Sequence, residues 1–120
     1  MDTASTAGVE GFVAGLRRCG LDPTQEDGVI TFAVEACQGP LSGEQVRTGV
    51  NVNELSAWPA VPPHWLHFPA AVTLSRTNID LNETLSGWRR HSRQIVGWGD
   101  AVEPAQGWIA HVRSVLAEAN

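Results

Sequence analysis

One hundred and twenty residues, 42% of them hydrophobic, make one domain over residues 1–120, with room for a single core. Eight basic against thirteen acidic residues leave a formal charge of −5, and the densest basic spot is Arg89, Arg90 and Arg93, so no nucleic-acid or anionic-membrane surface is expected. No apolar run reaches the length of a membrane span, the start of the chain lacks a basic-then-apolar leader, and Cys19 and Cys37 make no disulfide framework; a reduced, cytoplasmic protein is the simplest expectation.

Residues 1–4 read as a loose end. From Ser5 to Cys19 the spacing of Val9, Phe12, Val13 and Leu16 predicts a helix, stopped by Gly20 and Asp22-Pro23. Ile30, Phe32, Val34 and Ala36 then alternate with Val29, Thr31, Ala33 and Glu35, the period of a strand. Gly39-Pro40-Leu41-Ser42-Gly43 is a turn by composition, and Val46, Thr48, Val50 and Val52 mark a second strand paired to the first as a hairpin.

Residues 54–63 are irregular and proline-rich. A third strand is expected over Trp65–Phe68, running past Pro69 into Ala71–Leu74. Residues 75–102, rich in Ser, Asn, Gly, Arg and Trp, show no clear periodicity and read as a long loop of the kind that often carries function. Pro104 fits the first turn of a closing helix whose stripe is Trp108, Ile109, Val112, Val115 and Leu116. The order predicts an α+β domain: a helix, an antiparallel meander, a long loop and a helix, with both helices on one face of the sheet. Five tryptophans with no tyrosine supply large apolar anchors for the core; Trp58, Trp65 and Trp88 would suit a partner surface if exposed.

Three stretches carry a family resemblance. Gly39-Pro40, then Ser42-Gly43 and an alternating strand, resembles the Gly-Pro, Gly-Gly hairpin of the ubiquitin-conjugating enzymes. Trp58-Pro59-Ala60-Val61-Pro62-Pro63 matches in register their aromatic-Pro-x-x-Pro-Pro element. Asn78, in Arg76-Thr77-Asn78-Ile79, sits where their His-Pro-Asn segment supplies its asparagine. The resemblance spans about residues 5–118. Trp88-Arg89-Arg90-His91-Ser92-Arg93, followed by Gly97-Trp98, is similar to a bacterial branch found in ubiquitination-like operons. It implies a UBC-like fold in which residues 75–102 form the active-site loop. It also implies a ubiquitin-like protein, a ThiF-like activating enzyme and a target protein as partners, and a place in antiphage defence.

Arg76 and Thr77 replace the His and Pro of the resembled segment, and no cysteine stands at the catalytic position. Cys19 and Cys37, at the ends of the first helix and first strand, read as semi-buried structural thiols. A serine oxyester would then take the place of the thioester, which requires an activating base. Ser86 lies eight residues after Asn78, the spacing of asparagine to cysteine in the resembled family. Ser92 lies between His91 and Arg93. In this reading Ser92, or else Ser86, carries the acyl group. His91 is its base, with His67 and His111 as alternatives. The Asn78 amide stabilises the oxyanion, and Arg93 or Arg90 stabilises developing charge. The plainer reading has Ser86 capping a turn with Gly87, Ser92 bonding loop backbone, and the chain acting as a binding module without catalysis. His64 and His67 have ligand-like spacing but fall on a strand, where residues three apart face opposite ways. No metal and no cofactor are expected.

Overall fold

The computed structural model describes residues 6–100 and 103–120. Ser5 and the loose end at residues 1–4 lie outside the described residues, as do residues 101 and 102 of the long irregular stretch.

Helix α1 runs Gly8–Arg18 and buries Phe12 and Leu16, with Glu10 in its first turn and Arg17 and Arg18 in its last, the arrangement its dipole favours. Strands β1 (Thr24–Glu26), β2 (Val29–Glu35), β3 (Gln45–Asn51), β4 (Trp65–Pro69), β5 (Asn78–Asp80) and β6 (Trp88–Ser92) follow, and α2 (Pro104–Leu116) closes the chain. The six strands form one antiparallel sheet in the order β1-β2-β3-β4-β6-β5. The result is an α+β domain with two helices packed on a six-stranded sheet. Among the described residues no helix is long and apolar enough to cross a membrane.

The β2–β3 hairpin pairs Ile30 with Val50, Phe32 with Thr48 and Val34 with Val46, so these six side chains share one face. They join Leu66 and Phe68 of β4, Phe12 and Leu16 of α1, and Trp108, Val112, Val115 and Leu116 of α2 in the core. Thr48, fully buried there, donates its hydroxyl to the His67 carbonyl at 2.9 Å, so its own polar group is not stranded. The helices meet at Gly15, where an added Cβ would come within 2.9 Å of the Ala105 Cβ; glycine permits the close approach. Glu103 ties the same junction twice, accepting from Arg18 Nε at 2.8 Å and from the Ala105 backbone N–H at 3.4 Å, with Pro104 in the first turn.

The structure corrects the reading of the middle of the chain. β4 stops at Pro69, where Val72 N–H turns back to the Pro69 carbonyl, so no strand continues through Ala71–Leu74. Leu74 instead bridges to Ala119 beyond α2. The stretch read as one long loop contains β5 and β6, and β6 pairs with β4 over five residues, from Trp65–Ser92 to Pro69–Trp88.

Candidate functional site

Because β6 is a strand, successive residues face opposite sides of the sheet. His91 is the register partner of Leu66 and shares its helix-facing side. It is fully buried, its ring lies 5.7 Å from that of Phe68, and its Nδ1 is 2.8 Å from the Thr77 hydroxyl. Thr77, standing where the resembled segment has proline, thus anchors the imidazole. Burial, and then the charge of Arg89, lowers the His91 pKa below its ordinary value.

Ser92 faces the other side. Its register partners are Trp65 on β4 and Asn78 on β5, so Asn78 and Ser92 stand side by side on the face turned away from the helices, the open face, with Asn78 exposed and Ser92 buried. The next row on this face holds Asp80, Arg90 and His67. Arg90 stacks 4.3 Å above the Trp65 ring and pairs with Asp80 at 3.0 Å and Glu83 at 3.4 Å. The Asn82 backbone N–H, together with Arg90, holds the Asp80 carboxyl below the usual carboxylate range. This carboxylate is occupied and offers Ser92 no base.

The two alternative histidines, His67 and His111, do not supply one either. His67 shares the open face but is fully buried, with its Nδ1 2.8 Å from the Thr84 hydroxyl on the strap between β5 and β6. Desolvation, followed by the charges of Arg90 and His91, pulls its pKa down to about 4. His111 lies on α2, across the sheet from Ser92, and burial followed by the Arg93 charge lowers it to about 4 as well. Bases this weak take up a serine proton poorly at neutral pH.

The five residues proposed from sequence therefore fall in three places. Asn78 and Ser92 share the open face. His91 and Arg93 lie on the helix side, where Arg93 Nη2 pairs with Glu118 at 2.7 Å. Ser86 is exposed at the turn closed by Trp88 N–H on the Leu85 carbonyl, and its side chain makes no hydrogen bond. His91 as base for Ser92 is thus corrected by strand alternation, while Ser86 and Gly87 form the centre of the turn that the plainer reading gave them, without a side-chain hydrogen bond from Ser86. Cys19 is half-buried as expected, whereas Cys37 is exposed after β2. Among the described residues no three His, Cys, Asp or Glu side chains gather as metal ligands.

A second feature was not legible in the sequence. Trp98 packs 5.3 Å from the buried Trp58 ring, which in turn meets Phe12 at 4.8 Å, and its Nε1–H donates to the Pro59 carbonyl at 3.0 Å. This latch holds residues 93–100 away from α2 and leaves a cleft of about 700 Å³ between them. The cleft has apolar walls, with Arg93 and His111 among its polar lining. Trp98 and the His-Ser-Arg run were the available signals, and neither revealed that α2 forms the opposite wall.

Chemically, the open face offers an amide beside a hydroxyl without a base, and the helix side offers a concave apolar space with a cation and a neutral imidazole. No family model matches the chain, and neither a curated protein nor a solved structure is found similar to it.

Proposed function

We propose that the chain is a ubiquitin-conjugating-enzyme-like module of a bacterial ubiquitination-like pathway that binds a ubiquitin-like protein, or the enzyme that activates it, without carrying the acyl group itself. The observation that carries this reading is the opposition of His91 and Ser92 on β6: the serine best placed for an oxyester is turned away from His91, and His67, on its own side, is fully buried with its pKa pulled down to about 4. The family assignment rests on the hairpin turn, the Trp58–Pro63 element and the Trp88–Arg93 run. An α+β sheet with both helices on one face accords with it. UBC-like architecture, with the β5–β6 pair added beside β4, is part of the same proposal.

One observation favours a second reading within the same pathway. Asn78 and Ser92 are register partners, so a carboxamide stands beside a hydroxyl, and this arrangement suits an oxyanion formed on a serine-held acyl group. In that version Ser92 is the carrier and the activating enzyme supplies the base. Titrating the chain with a ubiquitin-like protein and with an activating enzyme of a bacterial ubiquitination-like operon tests both. Reversible binding to either, with no covalent product on adding ATP, supports the binding module. A hydroxylamine-labile adduct lost in Ser92→Ala supports the carrier, and absence of binding to both overturns the two together.

A further inference from the structure

We propose that β5, the edge strand at the end of the order β1-β2-β3-β4-β6-β5, pairs antiparallel with the β5 of a second copy of the chain, with Ile79 opposite its counterpart. Apart from the ladder to β6, the backbone of residues 78–80 makes no hydrogen bond among the described residues, so one row of its N–H and C=O groups is open. Val61, Ile79, Leu81 and Val96 are the large apolar side chains left exposed among the described residues. Two of them stand two residues apart along this edge, Ile79 at 49% and Leu81 at 69% exposure. The other edge, β1, is polar throughout, with Thr24, Gln25 and Glu26 all exposed. β5 carries none of the lysine, proline or bulge that keeps a lone edge from pairing, and its one charge, Asp80, is already held by Arg90 at 3.0 Å.

The occupant is a second copy because the edge complements itself. A two-fold axis perpendicular to the sheet keeps the helices of both copies on one side, so opposed residues must belong to the same face. Registers centred on Asn78, Ile79 or Asp80 meet this condition. Centring on Asp80 sets two carboxylates against each other. Centring on Asn78 sets Ile79 against Thr77, whose hydroxyl is taken by His91. Centring on Ile79 brings the two isoleucines together, with Leu81 flanking them on either side, and places Asn78 opposite Asp80 at both ends. Asn78 is exposed, and its side-chain amide makes no hydrogen bond among the described residues. It can donate to Asp80 of the second copy, whose carboxylate keeps lone pairs after accepting from Arg90 Nε and the Asn82 N–H. Each copy gives and receives the same bond.

The proposal rests on the sheet edge and is independent of the conjugating-enzyme-like reading. Pairing over a strand of 3 residues makes a small interface, so a dissociation constant between about 10 µM and 1 mM is expected. Sedimentation velocity of the full chain across that range reads it. Because Ile79 meets its own counterpart, Ile79→Arg and Ile79→Glu each set like charges opposite one another. Each variant is expected to self-associate at least about tenfold more weakly than the native chain, with an unchanged circular dichroism spectrum because Ile79 is half exposed. An equimolar mixture of the two variants sets opposite charges together and is expected to recover the dimer. A native chain that stays monomeric up to about 1 mM, variants that associate as well as the native chain, or a mixture that stays monomeric would overturn the proposal.

Discussion

Asn78 and Ser92 are direct register partners on β5 and β6, while His91, one residue before Ser92, is the partner of the core residue Leu66. Adjacent residues that read as one catalytic run are thereby assigned to different work. His91→Ala removes a buried ring and strands the Thr77 hydroxyl, and is expected to cost about 2–3 kcal/mol. Ser92→Ala removes a hydroxyl with no hydrogen bond and is expected to cost less than about 1 kcal/mol. Urea unfolding of the two variants checks this; equal losses would contradict it.

Acid should weaken the fold earlier than carboxylate protonation alone would. His67 and His111 are held neutral in the folded chain with pKa values of about 4, against 6.5 for the free side chain. Between these values the unfolded chain binds protons that the folded chain refuses, so stability is complete above about pH 6.5 and is lost as the pH falls toward 4. At about 1.4 kcal/mol per pKa unit the two histidines together contribute several kcal/mol. Thermal midpoints measured from pH 7 to pH 4.5 should fall steadily, and His111→Gln should flatten the slope. A midpoint unchanged over that range would contradict the burial of both rings.

The hairpin turn separates two costs of glycine replacement. Gly43 has φ +88° and open space around a built Cβ, so Gly43→Ala is expected to cost about 1–2 kcal/mol from backbone strain alone. Gly39 has φ +82°, and its Cβ would collide with the Ala117 carbonyl after α2. Gly39→Ala is therefore expected to cost roughly 3 kcal/mol or more. Chemical denaturation resolves the difference, and equal losses would mean that the turn does not pack against the end of α2.

The Trp98 latch predicts a smaller effect. Trp98→Phe keeps a ring against Trp58 and deletes the N–H that reaches the Pro59 carbonyl, for an expected loss of about 1–2 kcal/mol. Hydrogen exchange should quicken across residues 93–100 more than across β2 and β3. Uniform quickening would show that Trp98 supports the whole core rather than this segment.

Much of this fold was legible in the sequence wherever apolar side chains repeat with the period of the element. Phe12 and Leu16 announce α1, Ile30, Phe32 and Val34 announce β2, and Trp108, Val112 and Val115 announce α2. β1 carries no such signal, because Thr24, Gln25 and Glu26 are all exposed at the sheet edge. β6 was hidden for a different reason: Trp88-Arg89-Arg90-His91-Ser92 is polar at nearly every position. It is held by its ladder to β4 and by the contacts of Arg90 with Asp80 and Trp65. Without that strand, strand alternation could not be applied to the His91-Ser92 pair. The residues of the candidate site were in view; which of them face one another was not.

The central claim, a conjugating-enzyme-like module without catalysis, is tested most directly by intact mass. The chain is incubated with ATP and with a ubiquitin-like protein and activating enzyme taken from a bacterial ubiquitination-like operon, and its mass is measured without reductant. The account predicts an unchanged mass for the chain, together with reversible binding to one of the two partners. An added mass equal to the ubiquitin-like protein less one water, present in the native chain and absent in Ser92→Ala, would contradict it.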